Sequence, residues 1–137
     1  MSPLLLDTNA AIWIMRDEPI SRTALDAMNA ARRSSTDVFV SPVTALEVGQ
    51  LVSRNRLNLG ATPQRWFERL LAIPGMRLAY LSPDLLIGSS YLPGTPPRDP
   101  MDRILIATAR ELAATLVTRD RAIIAYGEQG NVSVVVC

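Results

Sequence analysis

The chain contains no histidine and no lysine, and its single cysteine is Cys137. Each absence removes a class of chemistry. Without histidine there is no Ser-His-Asp triad, no Cys-His pair and no imidazole metal ligand. Without lysine there is neither a Walker A phosphate loop nor a Schiff base. One cysteine allows no internal disulfide, which fits a reducing compartment, and nothing beside Cys137 in sequence suggests an activated thiol. Long apolar runs are missing as well. None approaches the roughly 20 residues of a membrane span, and no basic segment leads into a signal-type apolar stretch at the N-terminus. A cytoplasmic protein is expected. Any catalysis is left to carboxylates, hydroxyls, arginines or a metal held by oxygen.

The 137 residues are 48% apolar and 20% charged, a globular profile of a length that suits one domain over residues 1–137. A net charge of +1 says little about partners, but all 14 basic residues are arginine. Arginine forks bind phosphate and carboxylate through paired hydrogen bonds, so the set suits RNA or an acidic partner segment. Codon bias toward arginine is the plainer explanation.

Short apolar segments at 4–6 (LLL), 38–40 (VFV), 115–118 (TLVT) and 132–136 (VSVVV) read as strands, and 76–81 (MRLAYL) as an edge strand. Their unbroken apolar character predicts burial on both faces, as in a parallel sheet. Helices are expected over 41–54, 62–72 and 82–90, each opening with Ser or Thr followed by Pro, and over 99–113, opening with Asp99-Pro100. In each case an N-cap oxygen precedes a proline whose missing N–H costs nothing at the first helical position. Residues 21–33 are a further amphipathic helix. Alternating strands and helices predict an α/β fold with helices on both sides of the sheet, and its site just beyond the carboxyl ends of the strands.

Four acids fall near that edge: Asp7 after the first strand, Glu47 in SPVTALEV, Asp102 in DPMDRILIATA and Asp120 in TLVTRD. Each also has a plain structural role open to it. Asp7 can cap a helix beginning near Thr8, Glu47 can be solvated, Asp102 can complement a helix dipole, and Asp120 can start the next helix. Taken together they are more informative. Two carboxylates about 5 Å apart repel by roughly 3 kcal/mol at an effective dielectric near 20, so a cluster needs protons or a bridging cation. With oxygen ligands alone that cation is Mg²⁺ or Mn²⁺, which activates water and steadies charge on a phosphodiester.

The blocks LLLDTNAAIW, SPVTALEV, RDPMDRILIATA and LVTRD, in this order across nearly the whole chain, resemble the motif regions of PIN-domain ribonucleases, and in particular the VapC-type toxins of type II toxin–antitoxin systems. The resemblance implies a three-layer α/β/α sandwich on a mainly parallel five-stranded sheet. It also implies Mg²⁺- or Mn²⁺-dependent endonucleolytic cleavage of RNA, homodimerisation, and inhibition by a cognate VapB-like antitoxin. Carried over by motif, the catalytic acids are Asp7, Glu47, Asp102 and Asp120. Asp7 and Asp102 are the direct metal ligands, Asp120 binds directly or through water, and Glu47 orients or deprotonates the attacking water. Thr8, Asn9 and Thr118 are polar neighbours able to hold carboxylates or waters in place. Asp99 is a cap first and an outer support of the metal second. Relatives often carry histidine where Arg98 stands, a difference that bears on substrate contacts.

Arg98, Arg103, Arg119 and Arg121 flank the acids and are candidate RNA contacts; neutralising nearby carboxylates is the alternative for each. Trp13, Trp66 and Phe67 read as core or interface residues. A response-regulator receiver would need a lysine, and a haloacid-dehalogenase-type phosphatase an aspartate where Asn9 stands. A non-catalytic PIN-like domain that binds RNA or a protein partner remains the alternative from another class.

Overall fold

Five strands, β1 (Leu4–Leu6), β2 (Val38–Val40), β3 (Met76–Leu78), β4 (Thr115–Thr118) and β5 (Ser133–Val136), form one sheet in the computed structural model, which describes residues 2–137. Their order is β3-β2-β1-β4-β5, and every neighbouring pair is parallel. β1 lies at the centre, with Leu5 in register with Phe39 of β2 and Leu116 of β4. Its three leucines are 5%, 0% and 0% exposed. A strand buried on both faces has no use for alternation, which is why this segment is apolar throughout.

Among the described residues, seven helices connect the strands: α1 (Thr8–Met15), α2 (Arg22–Arg33), α3 (Pro42–Ser53), α4 (Pro63–Ala72), α5 (Pro83–Gly88), α6 (Pro100–Leu112) and α7 (Arg121–Glu128). The expected caps are in place. Ser41, Thr62, Ser82 and Asp99 each accept a hydrogen bond from a backbone N–H in the first turn, and a proline follows each of them. Such a cap is worth about 1 kcal/mol to its helix.

The two faces of the sheet carry separate cores. Leu4 and Leu6 pack with Val40 and Val117 against Ala10 and Ala11 of α1, Ala24 and Ala31 of α2, Val48 of α3, and Trp66 and Leu70 of α4. Leu5 and Leu116 turn the other way, onto Leu105, Ile106 and Ala109 of α6 and Ile123 and Tyr126 of α7. α5 packs on α6. Helices thus cover both sides, and the three-layer α/β/α sandwich is realised. The buried Tyr126 hydroxyl donates to Pro93 O at 2.6 Å, so the ring is buried without orphaning its polar end.

The edge strand expected over 76–81 ends at Leu78. Ala79 N still donates to Val40 O at 2.8 Å, but Tyr80 is 78% exposed as the chain leaves the sheet for the Ser82 cap. Among the described residues, no helix is long and apolar enough to cross a membrane.

Candidate active site

The chain runs outward from β1 to β2 and β3 on one side and to β4 and β5 on the other, so the connections diverge at β1 and β4. A crevice opens at the carboxyl ends of strands where connections part in this way. Asp7 directly follows β1, and Asp120 lies two residues beyond β4.

Asp7 caps α1 at the carboxyl end of β1. Its Oδ1 accepts from Ala10 N at 2.7 Å, and its Oδ2 accepts from the Thr118 hydroxyl at 2.5 Å. Only 6% of the residue is exposed. Thr118 Oγ1 in turn accepts from Asp120 N at 3.0 Å, so one buried hydroxyl ties the ends of β1 and β4 together. Asp120 caps α7, accepting from Ile123 N at 3.0 Å. Glu47 points from the second turn of α3 and accepts from the Thr8 hydroxyl at 2.9 Å. Asp102, at the third position of α6, is half-buried, and its carboxylate makes no hydrogen bond or ion pair with any described residue. Asp99 caps α6 through Met101 N at 2.7 Å and Asp102 N at 3.3 Å.

Electrostatics binds these groups into one site. Burial, followed by the charges of Asp120, Asp99, Glu47 and Asp7, pushes the Asp102 carboxyl up to about 7. Glu47 is raised by burial first, against the Thr8 hydrogen bond, with Asp99 and Asp7 adding to the rise. Asp7 is raised by burial, which outweighs its bonds from Thr118 and Ala10; Asp120 adds to the rise and Arg119 opposes it. Among the described residues, none of these five acids has an arginine in an ion pair: the pairs are Arg16–Glu18, Arg22–Asp26 and Arg77–Asp37, all elsewhere.

An all-oxygen, uncompensated, partly desolvated donor set is suited to a hard divalent cation. Among the described residues, no three carboxylates stand close enough to hold one ion directly. The arrangement fits a cation that takes one or two carboxylates and fills its other positions with water, the habit of Mg²⁺.

The four arginines expected on the rim divide into two kinds. Arg119 is already committed: its guanidinium lies 3.9 Å from the centre of the Trp13 ring and donates to Cys137 O at 3.2 and 3.1 Å. Arg103 donates to Pro97 O at 2.6 Å, fastening α6 to the preceding loop. Arg98 and Arg121 are exposed and take no side-chain partner among the described residues, and Asn9 is likewise exposed. Trp66 is buried beside Phe67, with ring centroids 6.4 Å apart. Cys137 is buried, and burial pushes its thiol up, away from reactivity.

The sequence reading missed Thr44, whose hydroxyl meets that of Thr8 at 3.1 Å. The available signal was its position three residues before Glu47 on one helix, a spacing that puts both on the same face.

Residues 4–129 match the PIN domain family. Ribonuclease VapC22 of Mycobacterium tuberculosis (strain ATCC 25618 / H37Rv) is 30% identical over 121 residues, which span 88% of this chain and 89% of that protein. Two solved structures share the fold. A chain of VapBC2 from Rickettsia felis, bound to a DNA fragment from their promoter, superposes with a TM-score of 0.69 at 15% identity, covering 98% of each chain. A chain of DNA-bound VapBC from Salmonella typhimurium gives 0.61 at 18% identity, covering 99% of this chain and 98% of that one.

Proposed function

Because the chain belongs to the PIN domain family, we propose that it is a VapC-like ribonuclease, the toxin of a pair restrained by a VapB-like antitoxin, and that it cleaves RNA with the help of Mg²⁺ or Mn²⁺. One observation carries the chemistry. Acids from separate elements come close enough at the carboxyl edge of the sheet to act on one another, and burial with the charges of Asp120, Asp99, Glu47 and Asp7 raises Asp102 to about 7. Four like charges are held together at a cost in stability, which is the expected signature of a site kept for function.

Asp7, Asp102 and Asp120 are the residues that would hold the ion, directly or through its waters. Bound there, the ion would lower the pKa of water and offset charge on the phosphodiester. Glu47 has one oxygen fixed by Thr8 and the other free to orient the attacking water and take its proton. Its raised affinity for protons makes it a better base than an exposed glutamate. Thr118 holds Asp7 and Asp120 in register, and the Asp99 cap sets the start of α6, which carries Asp102. Arg98 and Arg121, next in sequence to Asp99 and Asp120, are free to meet RNA phosphates.

The reading includes a homodimer. Tyr80, Ile87 and Tyr91 are 78%, 63% and 80% exposed around α5, an apolar surface that a second copy would cover. A binding-only domain is disfavoured because every acid needed for the chemistry is present.

Mixed cellular RNA incubated with the purified protein and Mn²⁺ tests the proposal. Cleavage is expected, and is expected to disappear with EDTA and in Asp7→Asn. A variant cutting as fast as wild type overturns the site. No cleavage at high protein concentration, with no growth arrest on expression, overturns the enzyme in favour of a binding domain.

A further inference from the structure

Among the described residues, Thr44 and Thr108 are buried threonines beyond the first position of a helix, and they use their hydroxyls differently. Thr108, in the middle of α6, donates to Ile104 O at 2.7 Å, the carbonyl four residues back. That is the ordinary way a helix absorbs a buried hydroxyl. Thr44 does not do this. It is 0% exposed, and its hydroxyl turns away from its own helix to meet Thr8 Oγ1 at 3.1 Å.

The proton count gives the contact a direction. Thr8 has one hydroxyl proton, and it is given to Glu47 Oε1 at 2.9 Å. The proton between the two threonines therefore comes from Thr44. The chain runs from Thr44 Oγ1–H to Thr8 Oγ1–H to Glu47 Oε1, with every donor pointing toward the carboxylate. Donors arranged head to tail polarise one another, so the terminal bond to Glu47 is stronger than Thr8 alone would make it. The chain also crosses between elements: Thr44 and Glu47 belong to α3, while Thr8 opens α1 directly after Asp7.

Glu47 has three side-chain torsions, and the Thr8 hydroxyl is its one hydrogen-bond donor among the described residues. We infer that Thr44 is a positioning residue for the hydrolytic reaction, acting through the Thr8 hydroxyl to fix the Glu47 carboxylate relative to Asp7. The inference rests on the ribonuclease reading given above. A valine at position 44 would have the same shape and would suit a fully buried site better, so the hydroxyl is there for its proton. Without it, the Thr8 oxygen is left buried with an unmet lone pair, and Glu47 is held by a weaker and less directional bond.

Thr44→Val and Thr44→Ser, with Thr8→Val and the Thr8→Val/Thr44→Val double variant, test this on a mixed-sequence single-stranded RNA pool with Mn²⁺. Rates are taken per folded molecule, with the folded fraction read by circular dichroism. Thr44→Val is expected to lower kcat roughly tenfold, the loss of about one hydrogen bond, with KM within about twofold because substrate binding is untouched. Thr44→Ser is expected to restore most of the rate. In the double variant the two losses are expected to be well short of additive, since both break one chain. A Thr44→Val protein that cleaves like wild type, a loss that serine does not restore, or additive losses would each overturn the inference while leaving the ribonuclease reading standing. A wild-type protein that leaves the pool intact would overturn both.

Discussion

Asp102 combines half-burial, four acidic neighbours and no partner, and these conditions have a thermodynamic consequence. Its carboxyl titrates at about 7 in the folded protein against 3.8 for the ordinary group. Between those values the folded state holds a proton that the unfolded chain has released. Stability from this residue is therefore greatest below about pH 4 and declines as pH rises toward 7. Asp7 and Glu47 are shifted in the same direction and add to the decline. In metal-free protein, Asp102→Asn removes the charge and should raise the unfolding temperature at pH 8 while leaving it nearly unchanged at pH 4. The same variant should no longer cleave RNA. Thermal melts in EDTA at the two pH values check this, and a destabilised Asp102→Asn at pH 8 would contradict the electrostatic account. The acids themselves were legible in the sequence because each falls near the start of a helix or the end of a strand whose position could be read. Thr8 and Thr118 could be named as supports because they adjoin Asp7 and Asp120, but which acid each one holds could not be read: Thr8 reaches Glu47 across 39 positions and Thr118 reaches Asp7 across 111. Thr44, which meets Thr8 across 36 positions, was not foreseen at all. Arg119 shows the same limit: beside Asp120 in sequence it reads as a rim cation, yet Trp13 and Cys137 hold it.

At the scale of elements, beginnings were easier to read than ends. A Ser, Thr or Asp before Pro, when a helically spaced segment follows, marks a helix start because capping oxygen and fixed φ act on the same turn; without such a segment, as at Ser2-Pro3 and Thr95-Pro96, no helix begins. All four starts of this kind formed where expected. The end of α1 carries no comparable mark, whereas α7 stops just before Gly130, whose φ of +86° is the conformation a helix end favours. α6 ends at Leu112, and Ala113 takes φ +50° and ψ +39°, the left-handed conformation usually reserved for glycine. A Cβ in that region costs about 1–2 kcal/mol, only partly offset by the greater freedom that glycine brings to the unfolded chain. Ala113→Gly should therefore stabilise the protein by roughly 0.5–1 kcal/mol. Its unfolding midpoint should rise by about 2–4 °C, with RNA cleavage unchanged because Ala113 lies at the opposite end of α6 from Asp102. A lowered midpoint would show that the alanine methyl makes a packing contribution larger than its strain.

For the whole molecule, the decisive feature is the strand order. It puts β1 between β2 and β4, so that a site is assembled from residues as distant as Asp7 and Asp120. Unbroken apolar segments predicted a parallel sheet but not which strand lies at its centre, because that depends on pairings between segments far apart in the chain. The same order couples ligand and fold. The acids enter from β1, α3, α6 and the β4–α7 junction, so a cation bridging them would join both layers of helices to the sheet edge. Anything that binds the folded state alone stabilises it by about 2.7 kcal/mol at a hundredfold excess over its dissociation constant. For a chain of this size that is an increase of roughly 8–10 °C in unfolding temperature. Protons compete for the same oxygens, and Asp102 is largely protonated below about pH 6 given its titration near 7. Mn²⁺ should therefore raise the unfolding temperature strongly at pH 8, weakly at pH 5, and scarcely at all in Asp102→Asn. An equal rise at both pH values would locate the bound ion away from these carboxylates, and no rise at pH 8 would leave their mutual repulsion without the cation that explains it.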